Sequence, residues 1–164
     1  NNVQHILEDR YDRLWIATKS GVSHYDFENF RTLYRRDGLS HQDVRALYED
    51  KDGYIWMATA GGITRYRPLR TPFKTHMQNI AADREYGSIA QLSLPAAQRY
   101  VMFQFFSGRL ANSSEATLYR YRLLGYEDGW NTTRASQVEY RDLPPGNFTF
   151  EVQAIDRDLN YAAP

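Results

Sequence analysis

The chain has 164 residues, 42% of them hydrophobic, and its 13 Tyr, 8 Phe and 3 Trp supply enough apolar body for a packed core, which excludes a disordered chain. Twenty basic residues balance twenty acidic ones with no long stretch of one sign, which excludes the electrostatic footprint of a nucleic-acid binder and a basic face for a membrane surface. Without Cys there are no disulfides, thiolate metal sites or cysteine nucleophiles.

The first elements form a repeat. At a shift of 41 residues Glu8-Asp9 falls on Glu49-Asp50, Trp15 on Trp56, Ala17-Thr18 on Ala58-Thr59, Gly21 on Gly62 and Tyr25 on Tyr66. Apolar character is kept between these identities: Ile6 with Leu47, Leu14 with Ile55, Ile16 with Met57, Val22 with Ile63. A period of about 40–45 residues fits propeller blades or helical HEAT and armadillo repeats. Each copy has short β-rich segments bounded by turns (Val44 to Tyr48, Tyr54 to Thr59, Ile63 to Tyr66), and none has the longer 3.6-residue period of a helix. Blades are therefore expected, with Trp15 and Trp56 in the core between them.

Asp50-Lys51-Asp52-Gly53 predicts a hairpin turn in which Gly53 takes a positive φ. Asp12 stands at the same place in the first copy, and Asp is among the few other residues that tolerate that region. Gly21 and Gly62 mark positions needing positive φ or close approach. The recurrence of Glu8-Asp9 and Glu49-Asp50 with the repeat argues for a structural task, such as holding the turn through side-chain to backbone hydrogen bonds.

The pattern from Val44 to Tyr66, preceded by Gly38-Leu39-Ser40, resembles the two-component regulator propeller repeat, and Val3 to Tyr25 matches it less fully. WD40 blades fit worse, since their Gly-His and Trp-Asp signatures are missing. Two blades do not close a ring when propellers typically have about 4–8, so further blades are expected upstream in a longer protein.

Pro68 and Pro72 end the repeat and mark a connector over residues 68–75, between blades at 1–67 and a second module at 76–164. Strands are expected from Ile89 to Leu94, Tyr100 to Ser107, Thr117 to Leu124, Gln137 to Arg141 and Phe148 to Ile155, the last alternating Phe148, Phe150, Val152 and Ala154 against polar residues. Several short strands between turns predict a β-sandwich, and hence an all-β chain. Tyr119 to Trp130, then Val138-Glu139-Tyr140, then Leu143 to Phe150 are similar to the triple-tyrosine domain, an immunoglobulin-like or fibronectin-type sandwich. Tyr121 and Tyr140 match two of its naming tyrosines, and Phe148 stands at the third.

No catalytic or metal constellation stands out. His5, His24, His41 and His76 lack metal-ligand spacing, and Asp50 and Asp52 open no complete calcium loop. No phosphate-binding glycine loop or Gly-x-Ser-x-Gly elbow occurs. The sequons at Asn112, Asn131 and Asn147 matter only in a eukaryotic secretory setting. The aromatic loop from Tyr126 to Trp130 is read as sandwich packing in preference to a platform for sugar rings. No catalytic, metal-binding or cofactor-binding residue is assigned, no cofactor is expected, and the ligand-binding residues are left open.

The order of the two resemblances implies an extracytoplasmic, periplasmic sensor or signal-transmission region of a bacterial inner-membrane receptor, either a hybrid histidine kinase or a sensor diguanylate cyclase. It further implies a non-catalytic fragment, a homodimer, and a carbohydrate or other small molecule as ligand. With no apolar run of 18 residues and no signal-like segment, and beginning at Asn1, the chain is read as a piece attached to the membrane through a helix outside it. The alternatives are a propeller-plus-sandwich fragment of a carbohydrate-active enzyme and a protein-interaction scaffold.

Overall fold

The computed structural model describes residues 2–108 and 117–163. Its regular elements are strands, apart from one 3₁₀ turn at Arg35–Asp37. They fall into two compact units, one of Asn1–Arg70 with Arg157–Leu159, the other of Thr71–Asp156 with Asn160–Pro164.

The first unit holds two blades. β1 (Val3–Glu8), β2 (Leu14–Thr18), β3 (Gly21–Tyr25) and β4 (Phe30–Leu33) form an antiparallel sheet in that order, and β5 (Val44–Glu49), β6 (Ile55–Thr59) and β7 (Gly62–Tyr66) form a three-stranded one. The repeat extends to the ladder: His5 opposes Ala17 and Ala46 opposes Ala58, each after a register irregularity at the start of the strand. Asp12 (φ 59°) and Gly53 (φ 81°) both take the left-handed region, as the turn requires. The core of the unit is one cluster of Trp15, Ala17, Val22 and Leu33 from the first blade, Leu39 from the connection, and Val44, Leu47, Ile55 and Met57 from the second.

The two tryptophans share a local environment but not a degree of burial. Trp15 is fully buried, whereas Trp56 is partly exposed, because the second blade covers the Trp15 face of the first and no further blade among the described residues covers the face of Trp56.

The second unit is a sandwich. One sheet runs β13 (Gln137–Tyr140), β10 (Val101–Ser107), β8 (Thr75–Ala81), β9 (Glu85–Gly87), and the other β12 (Asn131–Thr133), β11 (Leu118–Leu124), β14 (Thr149–Ile155), with all neighbours antiparallel. The inner faces meet through rings: Phe103 of β10 stacks on Phe150 of β14 at 3.9 Å between centroids, and Phe105 meets Tyr119 of β11 edge-on at 4.9 Å. Rings of this size fill the space between packed sheets.

The structure departs from the sequence reading in several places, β4 and β12 being strands it did not name. Residues 89–94 form no strand; their apolar positions follow β9 in an irregular segment. β8 instead supplies the strand next to β10, with β9 beyond it, and β8 begins at Thr75, inside the span read as connector. Arg157–Leu159, within the span read as sandwich, packs with the blades.

Candidate functional site

The residues that repeat serve the turn and the indole together. Asp9 Oδ1 accepts from the backbone N–H groups of Tyr11 (2.9 Å) and Arg13 (3.1 Å), and its Oδ2 accepts from Trp15 Nε1 at 2.8 Å. Asp50 repeats this with Asp52 N (2.9 Å), Tyr54 N (3.0 Å) and Trp56 Nε1 (2.7 Å). The Trp56 indole first, then the backbone N–H groups, hold the Asp50 carboxyl below the usual carboxylate range. One carboxylate thus fixes the turn and locks the Trp that fills the space between blades.

The glutamate beside Asp50 has a separate task. Glu49 of the second blade accepts from the Arg10 backbone N–H (2.8 Å) and from Arg10 Nε (2.5 Å) of the first. The same guanidinium donates through Nη1 to the Lys51 carbonyl at 3.2 Å and through Nη2 to the Asp50 carbonyl at 2.5 Å. Gln4 Nε2 to Asp43 Oδ1 and Leu47 N to His5 Nδ1 add two further bonds between the blades.

The densest group of buried titratable side chains lies in the first unit, and sequence reasoning missed it because Asp158 is remote in the chain. Arg13 reaches Asp9 Oδ2 through Nε (3.2 Å) and the Asp158 carbonyl through Nη1 (2.6 Å). The Asp158 carboxylate accepts from the Tyr66 hydroxyl and, at 3.0 Å, from Leu69 N. Burial and the Asp158 charge push the Tyr66 phenol well above its ordinary range. His24 stacks on Trp15 at 4.6 Å, and burial, with the Arg13 charge next, lowers its pKa to about 4, so the ring is neutral near pH 7. The carboxylates here accept from donors of the fold, so the cluster fixes shape.

In the sandwich, Tyr140 is buried and donates to Glu127 Oε1 at 2.6 Å. Glu127 also takes Leu123 N (2.9 Å) and Asn131 Nδ2 (2.8 Å), tying β11, β12 and β13 through one carboxylate. Burial first, then Glu127, raises the Tyr140 phenol far above its usual range. Phe148 needs no hydrogen-bond partner and meets Tyr126 edge-on at 6.4 Å, and Tyr126 in turn meets Tyr140 at 5.8 Å. The guanidinium groups of Arg120 (4.5 Å) and Arg122 (4.4 Å) lie over the Trp130 ring. Tyr126 nonetheless stays 48% exposed, and Trp130 is half-buried.

The four histidines stay apart: His41 Nδ1 accepts from Asp43 N, His76 stacks on Phe106, and His5 and His24 hold the places given above. Among the described residues no group of three or more His, Cys, Asp or Glu is placed to hold a metal ion, and no helix is long and apolar enough to cross a membrane. Asn112 lies outside the described residues.

Comparison with known proteins matches both halves. The family described as "Two component regulator propeller" matches residues 1–20 and 38–61, and the Y_Y_Y domain family matches residues 110–163. A curated relative, Histidine kinase P4 of Formosa agariphila, is 24% identical over 96% of this chain and 13% of its own length. The extracellular domain of a hybrid two component system from B. thetaiotaomicron superposes on 99% of this chain and 25% of its own, at 19% identity and a TM-score of 0.51. A second such domain from the same organism covers 100% of this chain and 24% of its own, at 14% identity and a TM-score of 0.45. The chain thus spans a small part of the proteins it matches. It carries two-component regulator propeller repeats followed by a Y_Y_Y domain, in an all-β fold shared with the extracellular part of a hybrid two component system.

Proposed function

We propose that this chain is part of the extracytoplasmic sensing region of a bacterial membrane receptor, non-catalytic in itself, in which the blades receive a signal and the sandwich passes it towards the membrane within a homodimer. The observation that carries this reading is the order of the modules: propeller repeats followed directly by a Y_Y_Y domain. The name of the Formosa relative favours a histidine kinase as the output over a diguanylate cyclase. A carbohydrate or another small extracellular nutrient is the ligand class that goes with this role.

Reporter fusions in the natural gene, joined after Pro164, test the location. Active alkaline phosphatase with silent β-galactosidase is expected, and the reverse would overturn it. In membrane vesicles, the full-length protein is expected to transfer phosphate from ATP to a histidine outside these residues, with no phosphorylation of the purified 164-residue chain. Formation of a cyclic dinucleotide by the vesicles would remove the kinase output, and turnover by the purified chain would remove the non-catalytic reading.

A further inference from the structure

The sandwich sheet that holds β10 has two unlike sides. Inwards, Val101, Phe103 and Phe105 join the core with Ile80 and Tyr140. Outwards, Phe106 is 46% exposed, where a strand face that meets only water is ordinarily polar. Its ring stacks on His76, which stands opposite it on β8, at 5.2 Å between centroids and 24° between planes, and His76 is exposed as well. Gly108 leaves the edge of the imidazole clear, since a Cβ there would lie 3.3 Å from His76 Nε2.

Beside the rings a row of amides crosses three strands. Gln104 of β10 stands opposite Gln137 of β13 on one side and Asn79 of β8 on the other. The Gly87 N–H donates to Asn79 Oδ1 (2.9 Å) and Asn79 Nδ2 donates to Gln104 Oε1 (3.2 Å), which holds the Gln104 amide in place with its Nε2 group still free to donate. Gln78 and Gln137 are exposed, and neither side chain has a hydrogen bond among the described residues. Neighbouring strands lie about 4.8 Å apart, so the row spans about 10 Å, a width that fits two linked sugar rings. No Lys, Arg, Asp or Glu stands in these two rows. The charges come one row further on, where Glu139 lies opposite Met102 and Glu85 opposite Ala81, with Glu139 already paired to Arg141. Lys74, beside Gly108, bounds the other end.

We infer that this outward face binds a neutral glycan, with the Phe106–His76 pair against the C–H side of one sugar unit and the Gln104 and Gln137 amides on the hydroxyls of the next. A planar amide carries a donor and an acceptor side by side, which matches two neighbouring hydroxyls. An acidic polysaccharide or a nucleic acid calls for Arg or Lys, and these rows have neither. A protein partner calls for a broader apolar centre than one pair of rings. The site belongs to the sandwich alone and rests on the chemistry of this face, so it stands or falls apart from the sensor role.

Affinity electrophoresis of the purified 164-residue chain through gels containing hydroxyethylcellulose, galactomannan or xylan tests it, with polygalacturonate as the charged control. Retardation by at least one neutral polysaccharide and none by polygalacturonate is expected. Phe106→Leu keeps apolar bulk without the ring, and Gln104→Ala removes the held amide; each is expected to weaken binding about tenfold with an unchanged circular dichroism spectrum. Phe106→Tyr keeps the ring and is expected to bind as the unaltered chain does. No retardation by any of the neutral polysaccharides, stronger retardation by polygalacturonate, or binding indifferent to both Phe106→Leu and Gln104→Ala would each overturn the site. Self-association of the chain that Phe106→Leu abolishes would overturn it as well and assign the face to a second copy.

Discussion

Asp9 and Asp50 accept the same three donors, yet they sit in different surroundings, and the difference predicts unequal effects of removal. Asp9 is buried and carries the Arg13 guanidinium as well. Asp9→Ala strips the acceptor from two backbone N–H groups, an indole and a buried cation, a loss of roughly 3 kcal/mol. Asp50→Ala, at a solvent-exposed turn, is expected to lower the denaturant midpoint clearly less, and equal losses in chemical unfolding would contradict the placement. His24 adds a pH dependence. Its folded pKa of about 4 lies below the ordinary 6.5, so the unfolded chain binds the extra proton between these values. Stability from this residue is complete above pH 6.5 and falls as pH drops towards 4, by about 3 kcal/mol at the end of the window. His24→Phe keeps a ring against Trp15 and is expected to remove this component when unfolding is compared at pH 7.5 and 4.5.

At the scale of the elements, the two β-hairpin glycines test how far the repeat is structurally equal. Gly21 and Gly62 share nearly the same backbone (φ 133° and 126°), but a Cβ on Gly21 would lie 2.5 Å from the Leu33 carbonyl of β4, while Gly62 has open space around it. Both alanine variants bear the strain of positive φ; Gly21→Ala also displaces β4, and a thermal melt is expected to show a loss larger by about 1–3 kcal/mol. The blades are legible because identical residues recur at fixed spacing, and the turn chemistry of Asp12 and Gly53 is legible with them. The acid pairs were legible only by half. Asp has a task within its own blade, which local chemistry reveals, whereas Glu49 answers to Arg10 of the other blade, which no single copy displays. In the sandwich, β10, β11, β13 and β14 announced themselves by aromatic and branched residues. β8 is mostly polar, with Thr75, His76, Gln78 and Asn79 interrupting any period-two alternation, and gave no such signal, and the apolar spacing at 89–94 imitated a strand that no neighbour pairs.

At the scale of the whole molecule, the chain passes between its two units at 70/71, 156/157 and 159/160. The short return matters energetically, because Asp158 satisfies Tyr66 and Leu69 and its carbonyl satisfies Arg13. Asp158→Ala is expected to destabilise the unit containing Trp15 and Trp56 by roughly 2–4 kcal/mol, with Asp158→Asn milder since one oxygen still accepts. Hydrogen exchange read separately over residues 1–70 and 71–156 checks it: loss of protection confined to the first span is expected, and unchanged protection there would contradict it. No periodicity pointed to residues 157–159, since a three-residue segment docking far back in the sequence leaves no pattern of its own.

That return also sets an order for synthesis. A unit that needs residue 159 cannot finish folding when residue 70 leaves the ribosome, for the acceptors of Arg13, Tyr66 and Leu69 have not yet been made. At translation speeds of about 5–20 residues per second, the blades wait on the order of 5–20 s with Nη1 of Arg13 and the Tyr66 phenol left to water. During that interval β8 to β13 emerge and can begin to pair, and both units then close on the same last stretch of chain, since β14 and Ala162 complete the sandwich core as Asp158 completes the blades.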